Sequence, residues 1–92
     1  MIKSIRHKGL KSLWEKGKTR YLNPDWLPRI GRILDALDVA ARPEDMNIPG
    51  FYFHILTGDN AGRYSVRGSA NWRITFTFDG EDAVLLDLED YH

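Results

Sequence analysis

Trp72-Arg73-Ile74-Thr75-Phe76-Thr77-Phe78, with Asp79-Gly80-Glu81 behind it, decides the fold class of this chain. Trp72, Ile74, Phe76 and Phe78 alternate with Arg73, Thr75 and Thr77, so a strand here has one apolar and one polar face. Asp79-Gly80-Glu81 reads as a tight hairpin turn. Residues 83 to about 91 then return antiparallel to the first strand. Upstream, residues 63–67 form a second strand closed by Gly68-Ser69. Phe51-Tyr52-Phe53-His54-Ile55-Leu56 forms another, turned by Gly58-Asp59-Asn60-Ala61-Gly62.

Before residue 50 the apolar period changes from 2 to about 3.6. Trp26, Leu27, Ile30, Ile33, Leu34, Leu37 and Ala41 make a helical stripe, with Pro28 tolerated in its first turn and Asn23-Pro24-Asp25 as the preceding cap. Leu10, Leu13 and Trp14 make a shorter stripe over residues 9–17, and Gly17 is its stop. Residues 2–6 alternate as a short strand. The expected order is strand, helix, helix and four strands: an α+β domain, two helices packed on a mainly antiparallel twisted sheet, with residues 1–92 as one unit.

At 92 residues the chain buries roughly 60–65% of its unfolded surface, so a deep pocket is not expected. Cysteine is absent, which removes disulfides and thiolate metal sites. Residues 1–8 carry positive charge without an apolar stretch behind it, and no run is long enough to span a bilayer. A cytoplasmic location without membrane contact is therefore expected. The net charge is zero, but its distribution is uneven. Residues 1–34 hold nine Lys or Arg against two acids, and residues 35–92 hold four against eleven. A basic half of this kind is the footprint of an anion-binding face. The plainer alternative, which charge alone favours, is pairing with the acidic half or with an acidic protein.

Three groups stand out as chemical candidates: His54, Arg73 and His92. The hairpin carries Tyr91 and His92 back toward Arg73, which puts a guanidinium, imidazoles and a phenol within reach of one sheet face. Such a set can cleave RNA through its own 2′-hydroxyl, one group removing the hydroxyl proton, another protonating the departing 5′-oxygen and a fixed cation steadying the phosphorane. Each residue also has a plain structural role. His54 suits a hydrogen-bonded sheet histidine, and Arg73 half of a salt bridge. Asp87, Glu89 and Asp90 suit a polar edge or a partner-facing patch. Three scattered histidines match no metal spacing.

The segments Met1-Ile2-Lys3-Ser4, His7-Lys8-Gly9-Leu10, Gly58-Asp59-x-x-Gly62, Ser65-Val66-Arg67, Asn71-Trp72-Arg73-Ile74-Thr75-Phe76 and Glu89-Asp90-Tyr91-His92 together resemble HigB-type toxins of the RelE/ParE superfamily. The resemblance spans essentially the whole chain. It implies a RelE-like fold and a type II toxin that cuts messenger RNA in the ribosomal decoding site, as a ribosome-dependent endoribonuclease needing no metal or other cofactor. It also implies neutralisation by a helix-turn-helix antitoxin of the HigA kind, contact with DNA only through that antitoxin, and a monomer when free. By residue it places His54, Arg73, Tyr91 and His92 in the catalytic site. His54 and His92 share the roles of base and acid in an order left open, Arg73 holds the phosphate, and Tyr91 stacks on or orients a nucleotide. Lys3, Lys8, Lys11, Lys16, Lys18, Arg20, Arg63, Arg67 and Asp90 are the expected RNA contacts, which should be salt-sensitive. One departure is Thr57, where the family commonly carries lysine. Arg63 or Arg67 can replace its charge, or activity is weaker, or the role was never essential. The alternatives are a non-catalytic inhibitor of DNA gyrase on the same fold, like ParE toxins, and a plain protein-binding module.

Overall fold

The computed structural model of the protein describes residues 1–90. Tyr91 and His92, both expected site residues, lie outside the described residues. Helix α1 spans Lys8–Lys16 and α2 spans Leu27–Val39. They are followed by strands β1 His54–Ile55, β2 Tyr64–Arg67, β3 Trp72–Asp79 and β4 Asp82–Asp90, hydrogen-bonded in that order and antiparallel throughout. None of the described helices is long and apolar enough to cross a membrane.

Local chemistry sets the helix ends. His7 caps α1, its Nδ1 accepting from the Leu10 N–H at 3.2 Å, and Gly17 closes it at φ 68°, a left-handed conformation glycine adopts readily. In α2, Ile30, Ile33, Leu34 and Leu37 are buried, as the stripe requires, and Pro28 sits in the first turn. Of the α1 stripe only Leu10 is fully buried; Leu13 and Trp14 pack half-exposed against the core. The helices cover Val66, Trp72, Ile74, Phe76, Ala83 and Leu86. Trp72, 1% exposed, stacks on Trp26 with ring centroids 5.0 Å apart.

The β3–β4 hairpin pairs Asp79 with Asp82 around Gly80-Glu81, and Gly80 has φ 63°. Glycine at the first of two turn positions suits the right-handed strand twist. The register slips between Thr75 and Thr77, because Leu85 adopts φ 55° and adds an extra residue to β4. This is a β-bulge, a device that bends the strand. It falls where Val84-Leu85-Leu86 breaks the apolar alternation.

Three expectations about the strands are corrected. The strand expected at residues 2–6 is reduced to two isolated parallel bridges, Ile2 to Ala83 and Ile5 to Leu86. The bulge lies between them, and the Leu85 N–H donates to Ser4 Oγ at 2.8 Å. The segment still covers the outer edge of β4, through Lys3 N–H to Ala83 O at 2.8 Å and Arg6 N–H to Leu86 O at 2.7 Å. The strand expected over residues 51–56 shrinks to His54–Ile55, because Phe51 turns into the core and Tyr52 takes φ 51°. The strand expected over residues 63–67 begins at Tyr64.

Gly68 answers a packing need. A Cβ there would lie 2.1 Å from the Trp72 ring. Gly68→Ala must displace a buried indole, and an expected loss of about 1–3 kcal/mol should appear as a lower urea midpoint with an unchanged slope.

Candidate functional site

Strand pairing places the polar residues of β1 to β4 in two rows on the face away from the helices. His54 pairs with Ser65, Ser65 with Thr75 and Thr75 with Asp87; in the next row Arg67 pairs with Arg73 and Arg73 with Glu89. A cleft of about 260 Å³ opens here, lined by Tyr52, His54, Thr57, Ser65, Arg67 and Arg73. His54 and Arg73 thus meet in one cleft, as the alternation of β3 requires.

Arg73 is held firmly. Its Nε donates to Glu89 Oε1 at 2.8 Å and its Nη2 lies 2.7 Å from the same oxygen in an ion pair, with the two side chains 25% and 35% exposed. A charge-assisted hydrogen bond plus the ion pair restrains the guanidinium. Glu89 was legible in sequence only as an edge acid. Directly opposite, the Arg67 guanidinium has no carboxylate within 4.0 Å among the described residues and instead lies 5.4 Å from the Tyr52 ring centroid. Glu89 offsets one of these two opposed charges, and a second anion would offset the other. A phosphate is such an anion.

Arg63 faces a different environment. Its Nη2 donates to Thr75 Oγ1 at 2.8 Å and to the Leu85 carbonyl at 2.7 Å, tying the end of β2 to the bulge. Its Nη1 is buried without a hydrogen-bond partner among the described residues. Burial lowers its pKa, and nearby Arg6 adds to that, while Asp87 and Glu89 oppose it. Arg63 therefore braces the sheet beside the cleft, between Thr75 and the bulge. Arg67, not Arg63, is the cation that shares the cleft with Thr57.

The other expected contacts spread elsewhere. Asp90 pairs with Trp72 and lines a second hollow of about 420 Å³ with His7, Tyr21, Asn23 and Trp26, on the helix side of the sheet. Lys8 and Arg20 flank the Tyr21 ring at 4.9 and 4.8 Å, and the Arg20 Nη2 donates to the Tyr21 hydroxyl at 2.7 Å. Lys8, Lys11 and Lys16 line a shallow hollow along α1; Lys3 and Lys18 are exposed. The basic groups thus border the fold on α1 and its following loop, while the cleft is built by β1 to β3.

Tyr52 has no counterpart in the sequence reading. It is 62% exposed and lines the cleft at φ 51°. A non-glycine residue in this region typically stores roughly 1–3 kcal/mol. Its neighbours impose the conformation. Phe51 is buried, its carbonyl accepts from the Arg67 N–H at 2.7 Å, and Arg29 donates to the carbonyls of Gly50 and, at 3.0 Å, Arg67.

Comparison with known proteins agrees with this architecture. Residues 3–92 match the HigB-like toxin family, described as RelE-like toxins of the type II toxin–antitoxin system HigB. The chain is 46% identical over 92 residues to the endoribonuclease HigB of Proteus vulgaris, with both chains covered completely. Among solved structures, a copper-bound mutant toxin from Helicobacter pylori superposes with a TM-score of 0.56 at 16% identity, covering 99% of this chain and 96% of that one. That likeness concerns the fold alone. With two N-terminal helices on a four-stranded antiparallel sheet and a match over nearly its full length, the chain belongs to the HigB family of RelE-like toxins, the toxin half of a type II toxin–antitoxin pair.

Proposed function

We propose that this toxin is an endoribonuclease that cleaves messenger RNA on the ribosome. The observation that carries the reading is the meeting of His54 and Arg73 in one cleft, with Arg67 opposite Arg73. The 46% identical relative, named an endoribonuclease, supports the same chemistry. In the reaction, the substrate's 2′-hydroxyl attacks the adjacent phosphorus. A neutral imidazole takes the hydroxyl proton, the P–O5′ bond breaks, and an imidazolium returns a proton to the departing oxygen. The products are a 2′,3′-cyclic phosphate and a 5′-hydroxyl. His54 supplies one imidazole and His92 the other, with Tyr91 orienting the nucleotide. Arg73 grips a non-bridging phosphate oxygen and stabilises the charge that grows there. Arg67 supplies the cation that Thr57 lacks. The attacking group belongs to the RNA, so the scheme needs neither an enzyme nucleophile nor a metal.

The family brings an antitoxin. A helix-turn-helix protein of the HigA kind fits the expectation from sequence, with DNA reached only through it, in the cytoplasm. The lysines of α1 and Arg20 are suited to phosphates of ribosomal RNA. The gyrase-inhibitor alternative finds no support in the comparisons. Primer extension on a reporter transcript, with and without translating ribosomes, tests the proposal. Cuts inside the reading frame that require ribosomes are expected. Intact transcripts in both arms, with purified toxin present, would refute it.

A further inference from the structure

We propose that Tyr52, braced by Arg67, is a stacking platform for a purine base next to the scissile phosphate. The inference rests on the RNA-cleaving reading of the cleft and extends it to a base subsite that the reaction itself does not require.

Four observations point the same way. Tyr52 is a large aromatic left 62% exposed, so it adds little to the core. Its backbone is nevertheless held at φ 51°, where glycine would sit without strain. Strain kept at an exposed side chain points to a use for that side chain. The Arg67 guanidinium stands 5.4 Å from the ring centroid, a cation–π contact that limits the ring's freedom before any ligand arrives. Finally, Tyr52 lines the cleft that also holds His54, Arg67 and Arg73, so a base stacked on it shares one cleft with the groups proposed to hold the phosphate. Phenol rings and guanidinium planes are the surfaces on which unpaired bases stack. Purines offer the larger face. The ligand is therefore a single-stranded purine nucleotide, and Tyr52 influences where the toxin cuts.

The test measures reporter-transcript cleavage in a complete translation extract for the wild type, Tyr52→Phe, Tyr52→Gly and Arg73→Ala, with cut sites mapped. Tyr52→Gly should lose roughly ten- to a hundred-fold in kcat/KM, mainly through KM. Wild-type cuts should cluster beside purines and those of Tyr52→Gly should not, while the unfolding midpoint of Tyr52→Gly holds or rises as the strain is relieved. Tyr52→Phe should behave as wild type. Wild-type kcat/KM and cut pattern in Tyr52→Gly would overturn the platform. So would an equal loss in Tyr52→Phe, which would assign the effect to the hydroxyl. Full cleavage by Arg73→Ala is a separate result; it would remove the phosphate-gripping role of Arg73 from the RNA-cleaving reading, while the Tyr52 variants alone decide the platform.

Discussion

Arg73→Ala should lower the cleavage rate by about 10²–10³-fold while leaving the fold in place. The rate estimate is that for deleting one preorganised donor aimed at a developing oxyanion. The fold is expected to survive because the Arg73–Glu89 pair is partly exposed, and such pairs contribute about 0–1 kcal/mol. Arg73→Lys separates charge from geometry. A lysine keeps the positive charge but cannot match the planar guanidinium, whose Nε donates to Glu89 while Nη2 lies in ion-pair range of the same oxygen, so much of the loss should persist. The check is a single-turnover rate on ribosome-bound transcript beside a urea unfolding curve for each variant. A rate within about three-fold of wild type for Arg73→Ala, against the expected loss, would remove the guanidinium from the chemistry.

Trp72→Ala should be the most destabilising single change. Trp72 is fully buried, stacks on Trp26, and rests against Gly68, whose missing side chain leaves room for the indole. Truncating a buried tryptophan typically costs about 3–5 kcal/mol. A domain of this size has only about 5–15 kcal/mol in total. The expected result is a midpoint shift of that size in urea, together with lost activity, because Arg73 is the next residue on the same strand. Trp26→Ala removes a half-buried ring and should cost less. Equal midpoints for wild type and Trp72→Ala would contradict the packing described.

Much of this was legible from local pattern. The alternation over Trp72–Asp79 gave the face of Arg73, and the period near 3.6 gave the buried residues of α2. The two-residue turn at Gly80-Glu81 gave the hairpin. What escaped depends on contacts between distant residues. Phe51 to Leu56 reads as continuous strand, yet Arg29 and Arg67, 21 and 15 residues from Gly50 and Tyr52, turn that segment. Arg63 reads as one more cation, and only the bulge carbonyl of Leu85 makes it a brace. Glu89 reads as an edge acid until the register sets it beside Arg73. Tyr91 and His92, the most distinctive residues of the family resemblance, lie outside the described residues.

The stitching of residues 3–6 to residues 83–86 has a bearing on how the toxin is made. Each of those hydrogen bonds spans about eighty residues of chain, the Ser4 to Leu85 bond 81 of them. During synthesis the opening segment leaves the exit tunnel long before its partner strand exists. Arg73 likewise waits for Glu89, emerging sixteen residues later. A nascent chain thus cannot fix Arg73 or cover the edge of β4 until residues 83–89 have left the exit tunnel.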